Sequence, residues 1–217
     1  MLKTVCLSAL SLMTTFLTYC NVSNGFSANS FGNQNKEIAI IDSVELTTLV
    51  RQVYKWHMNN LLDEFPYKYE KQAKNIIIGI DWEAYNKNMD VFKSTKFFTD
   101  QFLSCHKNIA LNIDSSIKKA DIKWRNMNDG IPLWDLDADS WCGCQAYPDN
   151  YWETLTLYDL KIENNSASFY WKWESPSVEP HKYKMTAKKI GNKWKIDSME
   201  GFDYYRSVAH YNDLMRE

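Results

Sequence analysis

The chain carries little net charge. Its 25 Lys and Arg stand against 27 Asp and Glu, which leaves -2 at neutral pH, and the lysines are spread along the chain. So weak a field does not gather nucleic acid or an anionic membrane surface, so neither is expected as a partner. The chain also lacks a Gly-rich phosphate loop, a Ser/His/Asp order, internal repeats and low-complexity blocks. His106, His181 and His210 show no ligand spacing, and the cysteines lack the supporting Cys/His spacing a structural zinc site needs. No metal, no cofactor and no catalytic set is therefore expected. One apolar run, Val5 to Tyr19, is free of charge, but it is too short and too Thr-rich to span a membrane comfortably.

Aromatic residues, in contrast, are plentiful. They make up 15% of the 217 residues, with 9 Trp and 13 Tyr. That much ring surface has to be buried or lined up in a pocket, and the length suits one domain with a substantial core. Residues 1–28 read as a targeting segment: Lys3 gives a positive start, the apolar run follows, and small residues offer cleavage after Gly25 or Ser27. A plain secretory signal is favoured. The alternative is a lipoprotein signal ending before Cys20, where Tyr19 departs from the small residue that pattern wants. Either way the chain is expected in the periplasm, and a membrane enters only through a lipid at Cys20.

Export makes one disulfide the expectation among Cys105, Cys142 and Cys144. The simplest pairing joins Cys105 to Cys142 or Cys144, because two cysteines separated by one glycine bond internally only with strain. The disulfide is read as a staple, in preference to a redox site.

Residues 29–41 read as a flexible leader and 42–217 as a single domain. A helix opens at Asp42, with Glu45 as capping-box partner and Ile41 and Leu46 as a staple, and Pro66 stops it. Leu46, Leu49, Val50, Val53, Tyr54, His57 and Leu61 share one face. Tyr67 to Lys93 is ambiguous, with Ile76–Ile80 a short strand or buried turn. A further helical stripe starts near Ser94 or Thr95 and runs through Phe98, Phe102, Cys105, Ile109, Ile113 and Ile117 to Trp124 and Met127. From Thr154 the period becomes two. A slip near Leu157 and Tyr158 predicts a bulge, and Asn164-Asn165 and Gly191-Asn192 predict turns. Helices first and an antiparallel meander after them define an α+β domain, closed by an aromatic-rich tail over 201–217.

Three segments occur in order: Val50-Arg-Gln-Val-Tyr-Lys-Trp56, Pro132-Leu-Trp-Asp-Leu-Asp-Ala-Asp139 and Gly191-Asn-Lys-Trp-Lys-Ile-Asp197. Together they resemble an uncharacterised family of bacterial exported proteins, some of them lipoproteins. The resemblance covers about Glu45 to Tyr204. It implies a nuclear-transport-factor-2-like (ketosteroid-isomerase-like, cystatin-like) cone, in which N-terminal helices pack on a curved antiparallel meander, and it implies no reaction.

The segment from Pro132 to Trp152 is the one candidate site. It is too polar for a core element and too rich in tryptophan for an idle linker. Asp135, Asp137 and Asp139 alternate as the first residues of a calcium loop do, but Ser140 and Ala146 stand where that loop needs Gly and Glu. A non-standard calcium site completed by Asp149 is the lesser reading, and aspartates capping turns the favoured one. Trp134, Trp141 and Trp152 either close the mouth of the cone or anchor a partner, closure being favoured. His57, on the apolar helix face, is a pocket-rim residue or a general base. Trp134, Asp135, Asp137, Asp139, Trp141 and His57 are thus the candidate binding residues. The expected function is a non-enzymatic envelope domain that binds a partner protein or a small apolar ligand, an immunity-type protein being one version. The alternative is an isomerase- or hydratase-like enzyme with a polar pair in the cone.

Overall fold

The computed structural model of the chain describes residues 28–120, 125–126, 139–173 and 182–204, with side chains in 28–38 described only at Glu37. The elements run α1 (Ala28–Asn60), β1 (Tyr67–Tyr69), β2 (Ile77–Ile80), α2 (Trp82–Thr95), α3 (Asp100–Lys119), β3 (Thr156–Glu163), β4 (Ser166–Lys172), β5 (Tyr183–Ile190) and β6 (Lys193–Met199). The fold is α+β. Its main sheet is a four-stranded antiparallel meander in the order β3-β4-β5-β6, and β1 and β2 form a separate antiparallel pair.

The meander follows the period-two pattern. On β4, Ala167, Phe169 and Trp171 are buried, and on β5 so are Tyr183, Met185 and Ala187, while the residues between them face outward. The β3–β4 register slips between Tyr158 and Lys161, with Asp159 at φ 51°, which is the bulge the sequence predicts. Asn164 at φ 54° and Gly191 at φ 64° make the two hairpin turns. Leu46, Leu49, Val50, Val53 and Tyr54 of α1 and Phe102, Ile109, Ile113 and Ile117 of α3 complete the core.

The helices depart from expectation at their ends. The segment read as a leader is helical, since α1 starts at Ala28. A packed helix is already nucleated and each added residue gains a hydrogen bond, so it propagates outward; Ile40 and Ile41 in that segment are exposed, as is Val44 beyond it. Asp42 therefore does not cap α1, and exposed Ile41 is no staple. The Asp42 carboxylate sits inside the helix, accepting from Lys189 Nζ (2.6 Å) and from Trp194 Nε1 (2.9 Å), and so ties α1 to β5 and β6. The helix ends at Asn60, well before Pro66, with Leu61 at φ 37°.

The ambiguous stretch holds β2 and α2, the latter capped by Asp81, whose carboxylate accepts from the Glu83 and Ala84 N–H groups. The next helix starts from a cap at Thr99 rather than at Ser94 or Thr95, because Lys96 turns into the left-handed region and ends α2. Residues 97–99 then run along the edge of β6: Ile196 N–H donates to Phe97 O (2.8 Å), and Thr99 N–H donates to Ile196 O (2.9 Å). Trp124 and Met127, the far end of the predicted stripe, lie outside the described residues, as does most of the tail, which begins as a 3-10 turn at Glu200–Phe202.

Candidate functional site

The candidate site is the turn from Asp139 to Cys144. Gly143 and Cys142 donate their N–H groups to Asp139 O (2.7 and 3.2 Å), and Asp139 N–H donates to Cys144 O (2.9 Å). The Asp139 carboxylate accepts from Trp141 N–H at 2.7 Å, so this aspartate caps a turn, as the favoured reading has it. Burial pushes its carboxyl up, and the hydrogen bonds from Trp141 and Cys142 work the other way.

Cys142 and Cys144 are joined by a disulfide, and Cys105 is a free thiol. The expectation that Cys105 would pair with one of them is thereby corrected. Gly143 adopts φ 62°, a left-handed conformation open to glycine, and the two Cα atoms stand 5.2 Å apart, within ordinary disulfide reach. Cys105 donates its thiol to Phe202 O (3.4 Å), while the Phe202 ring packs on Trp141 (5.5 Å between centroids), so Phe202 separates Cys105 from the turn. The bond as formed is a weak staple. Closing a loop this short restricts the unfolded chain by about 1.5 kcal/mol, against about 4 kcal/mol for a link from Cys105 to Cys144.

Trp141 is the centre of the site and is 2% exposed. Its indole stacks on His57 (3.9 Å between ring centroids, planes 13° apart) and meets Tyr54, Trp56, Phe92, Phe98 and Phe202 at 5.5–6.4 Å. Burying an indole this fully is worth about 4–6 kcal/mol of transfer free energy. Its polar groups are matched: Nε1–H donates to Glu64 Oε1 (2.5 Å), and its carbonyl accepts from Tyr54 O–H (2.6 Å). Tyr183 O–H donates to the Ser140 carbonyl (2.5 Å) and itself accepts from Gly201 N–H (2.8 Å). The chain at Gly201 lies so close that a Cβ there would collide with the Ser140 carbonyl.

His57 is 7% exposed, and burial lowers its pKa to about 4, so at neutral pH a neutral imidazole faces the indole. Burial pushes Glu64 up, the Trp141 hydrogen bond opposes this, and Asp139 and Asp63 add to the rise. Trp141 therefore lies between two perturbed groups, stacking on one and donating to the other.

Of the candidate residues, the structure brings together His57, Asp139 and Trp141; Trp134, Asp135 and Asp137 lie outside the described residues. Trp141 and His57 are buried against each other, so neither offers a surface to a partner protein. Trp152 is half-buried, with its Nε1–H in the interior and without a hydrogen-bond partner among the described residues. Sequence reasoning missed Glu64, which no pattern singles out, and His106. The latter is 0% exposed, shares a hydrogen bond between its Nδ1 and Tyr85 Oη (3.0 Å), and has its pKa pushed down to about 3 by burial. The one signal for it is its place beside Cys105 on the helical stripe.

Among the described residues no group of His, Cys, Asp or Glu is arranged to hold a metal ion, and no helix is long and apolar enough to cross a membrane. The class the fold defines is an α+β domain whose core is plugged from a loop by tryptophan. Compared with protein-family models, with curated proteins and with solved structures, the chain matches none.

Proposed function

We propose that this is a non-enzymatic exported domain that binds a partner protein or a small apolar ligand through the loop ending at Asp139. The observation that carries the reading is the anchoring of Trp141. The loop's C-terminal root is fixed by a buried indole, by three side-chain hydrogen bonds from distant elements to Ser140 and Trp141 or from the indole, and by its own turn. Binding loops work best when rigid elements hold their ends, because less ordering entropy is lost on binding. Trp134, Asp135 and Asp137 then supply an aromatic and acidic contact surface. The cone fold, the exported family, the signal over residues 1–28 and the periplasmic setting belong to this reading, and an immunity-type protein is its narrower form. The test is capture from envelope extract by the full chain, beside a chain with Asp135→Asn, Asp137→Asn and Trp134→Ala. One stoichiometric partner, lost with the triple variant while thermal stability is kept, supports the reading. Equal capture by both chains overturns it.

A specific observation supports the second reading, an isomerase- or hydratase-like enzyme. His57 and Glu64 are both shifted by burial and both touch one indole. It requires Trp141 to leave its place so that substrate reaches His57, and it predicts turnover lost in His57→Gln.

A further inference from the structure

We propose that Cys142-Gly143-Cys144 is a thiol–disulfide exchange site whose substrate is a dithiol, and that its redox state sets how firmly Trp141 is held. The two sulfurs are placed differently. Cys142 is 1% exposed and belongs to the core cluster, whereas Cys144 is half-buried at the rim, followed by exposed Gln145 and Ala146. An incoming thiolate therefore meets Cys144 first. The bond also joins residues only two apart, so it restrains the unfolded chain little and acts on the local turn instead. That turn carries Trp141, which is 2% exposed. Cys142 Sγ lies 3.7 Å from the Cys144 carbonyl oxygen, so the reduced thiol has an acceptor in place. The backbone bonds of the turn do not involve sulfur. Reduction therefore loosens the turn without dismantling it.

The exchange balances in two steps. One thiolate of the substrate attacks Cys144 Sγ; the Cys142–Cys144 bond breaks, and Cys142 leaves with the electron pair and takes a proton. The substrate's second thiolate then attacks the mixed disulfide and releases Cys144, which is protonated in turn. The substrate leaves as a disulfide, and the protein gains two electrons and two protons. With the ring open, Gly143 has no bridge to hold its left-handed conformation. Cys142 and Trp141 then share the freedom of the turn, and the stack on His57 slackens.

The test uses the full chain under native conditions with dithiothreitol as the dithiol. Free thiols are alkylated and mapped by peptide mass, and the fold is followed by far-UV circular dichroism. Cys142 and Cys144 are expected to become alkylated while the far-UV signal holds. Tryptophan emission is expected to shift to the red in the wild type and not in Trp141→Phe. Should that variant fold poorly, hydrogen exchange at residues 141–144 gives the same information in the wild type, with exchange about tenfold or more faster after reduction. Alkylation only in step with loss of the far-UV signal overturns the exchange site. Reduction in the native fold with unchanged emission and unchanged amide exchange overturns the coupling to Trp141. None of these readouts requires a binding partner, so they stand or fall apart from the proposed function.

Discussion

At the scale of the residue, one side chain organises the site. Trp141→Ala would remove an indole enclosed by six rings and deprive the half-buried Glu64 carboxyl of its donor. The expected cost is about 3–5 kcal/mol in urea denaturation. Trp141→Phe keeps most of the ring contacts and loses only the Glu64 bond, so about 1–3 kcal/mol is expected. If both substitutions cost the same, the hydrogen bond rather than the packing holds the plug. Neither Trp141's burial nor its partners can be read from its neighbours in sequence, which are Asp139, Ser140 and Cys142. The sequence leaves Trp141 either closing the fold or anchoring a partner, and the approach of α1 and Phe202 makes the residue part of the core.

Among the elements, the decisive link is between α1 and the sheet. A helix with exposed Ile40, Ile41 and Val44 is held in register by the Asp42 carboxylate, which accepts from Lys189 and Trp194, and by Arg51, whose Nε and Nη2 donate to Leu155 O at 3.0 and 2.8 Å. Burial pushes the Asp42 carboxyl up, yet the hydrogen bonds from Lys189 and Trp194 outweigh it and hold the group below its ordinary range. Asp42→Ala leaves the indole N–H of Trp194 buried and unmatched, and a loss of about 1–3 kcal/mol is expected. Hydrogen exchange should report that loss first in β5 and β6, not in β3. Uniform loosening across the sheet would show that Asp42 acts on global stability alone. The strands of the meander were legible from alternation because β4, β5 and β6 each bury one face and β3 alternates half-buried with exposed residues. The helix starts were not, because Asp42 has the residue type of a cap but an environment that only distant lysine and tryptophan supply.

For the whole molecule, pH is the most direct probe of the interior. His57, with its pKa lowered from 6.5 to about 4, contributes stability that is full above pH 6.5. Below that the unfolded chain takes up the proton first, so the contribution is lost as pH falls toward 4. The difference in unfolding free energy between wild type and His57→Phe should change by about 3 kcal/mol between pH 7 and pH 4. His106 acts in the same direction and reaches lower pH, its pKa lying at about 3. Glu64 and Asp139, pushed upward, have the opposite sign: they favour the folded state in acid and weaken it as pH rises through their folded values. A difference curve independent of pH would mean that the His57 imidazole is solvated in the folded protein.

The sequence by itself determined the α+β class, the single meander, its bulge and turns, and the segment that deserved attention. Those properties follow from local rules: alternation on a half-buried strand, left-handed residues at turns, and ring surface that water disfavours. Tertiary structure alone decided that Cys142 bonds to Cys144 and leaves Cys105 free, which rings enclose Trp141, and that Glu64 and His57 flank it. Those facts depend on which distant groups arrive at one place. A disulfide needs two sulfurs within reach, a buried indole N–H needs an acceptor, and a histidine stays neutral well below its ordinary pKa only where its surroundings exclude water. Spacing along the chain carries none of that information.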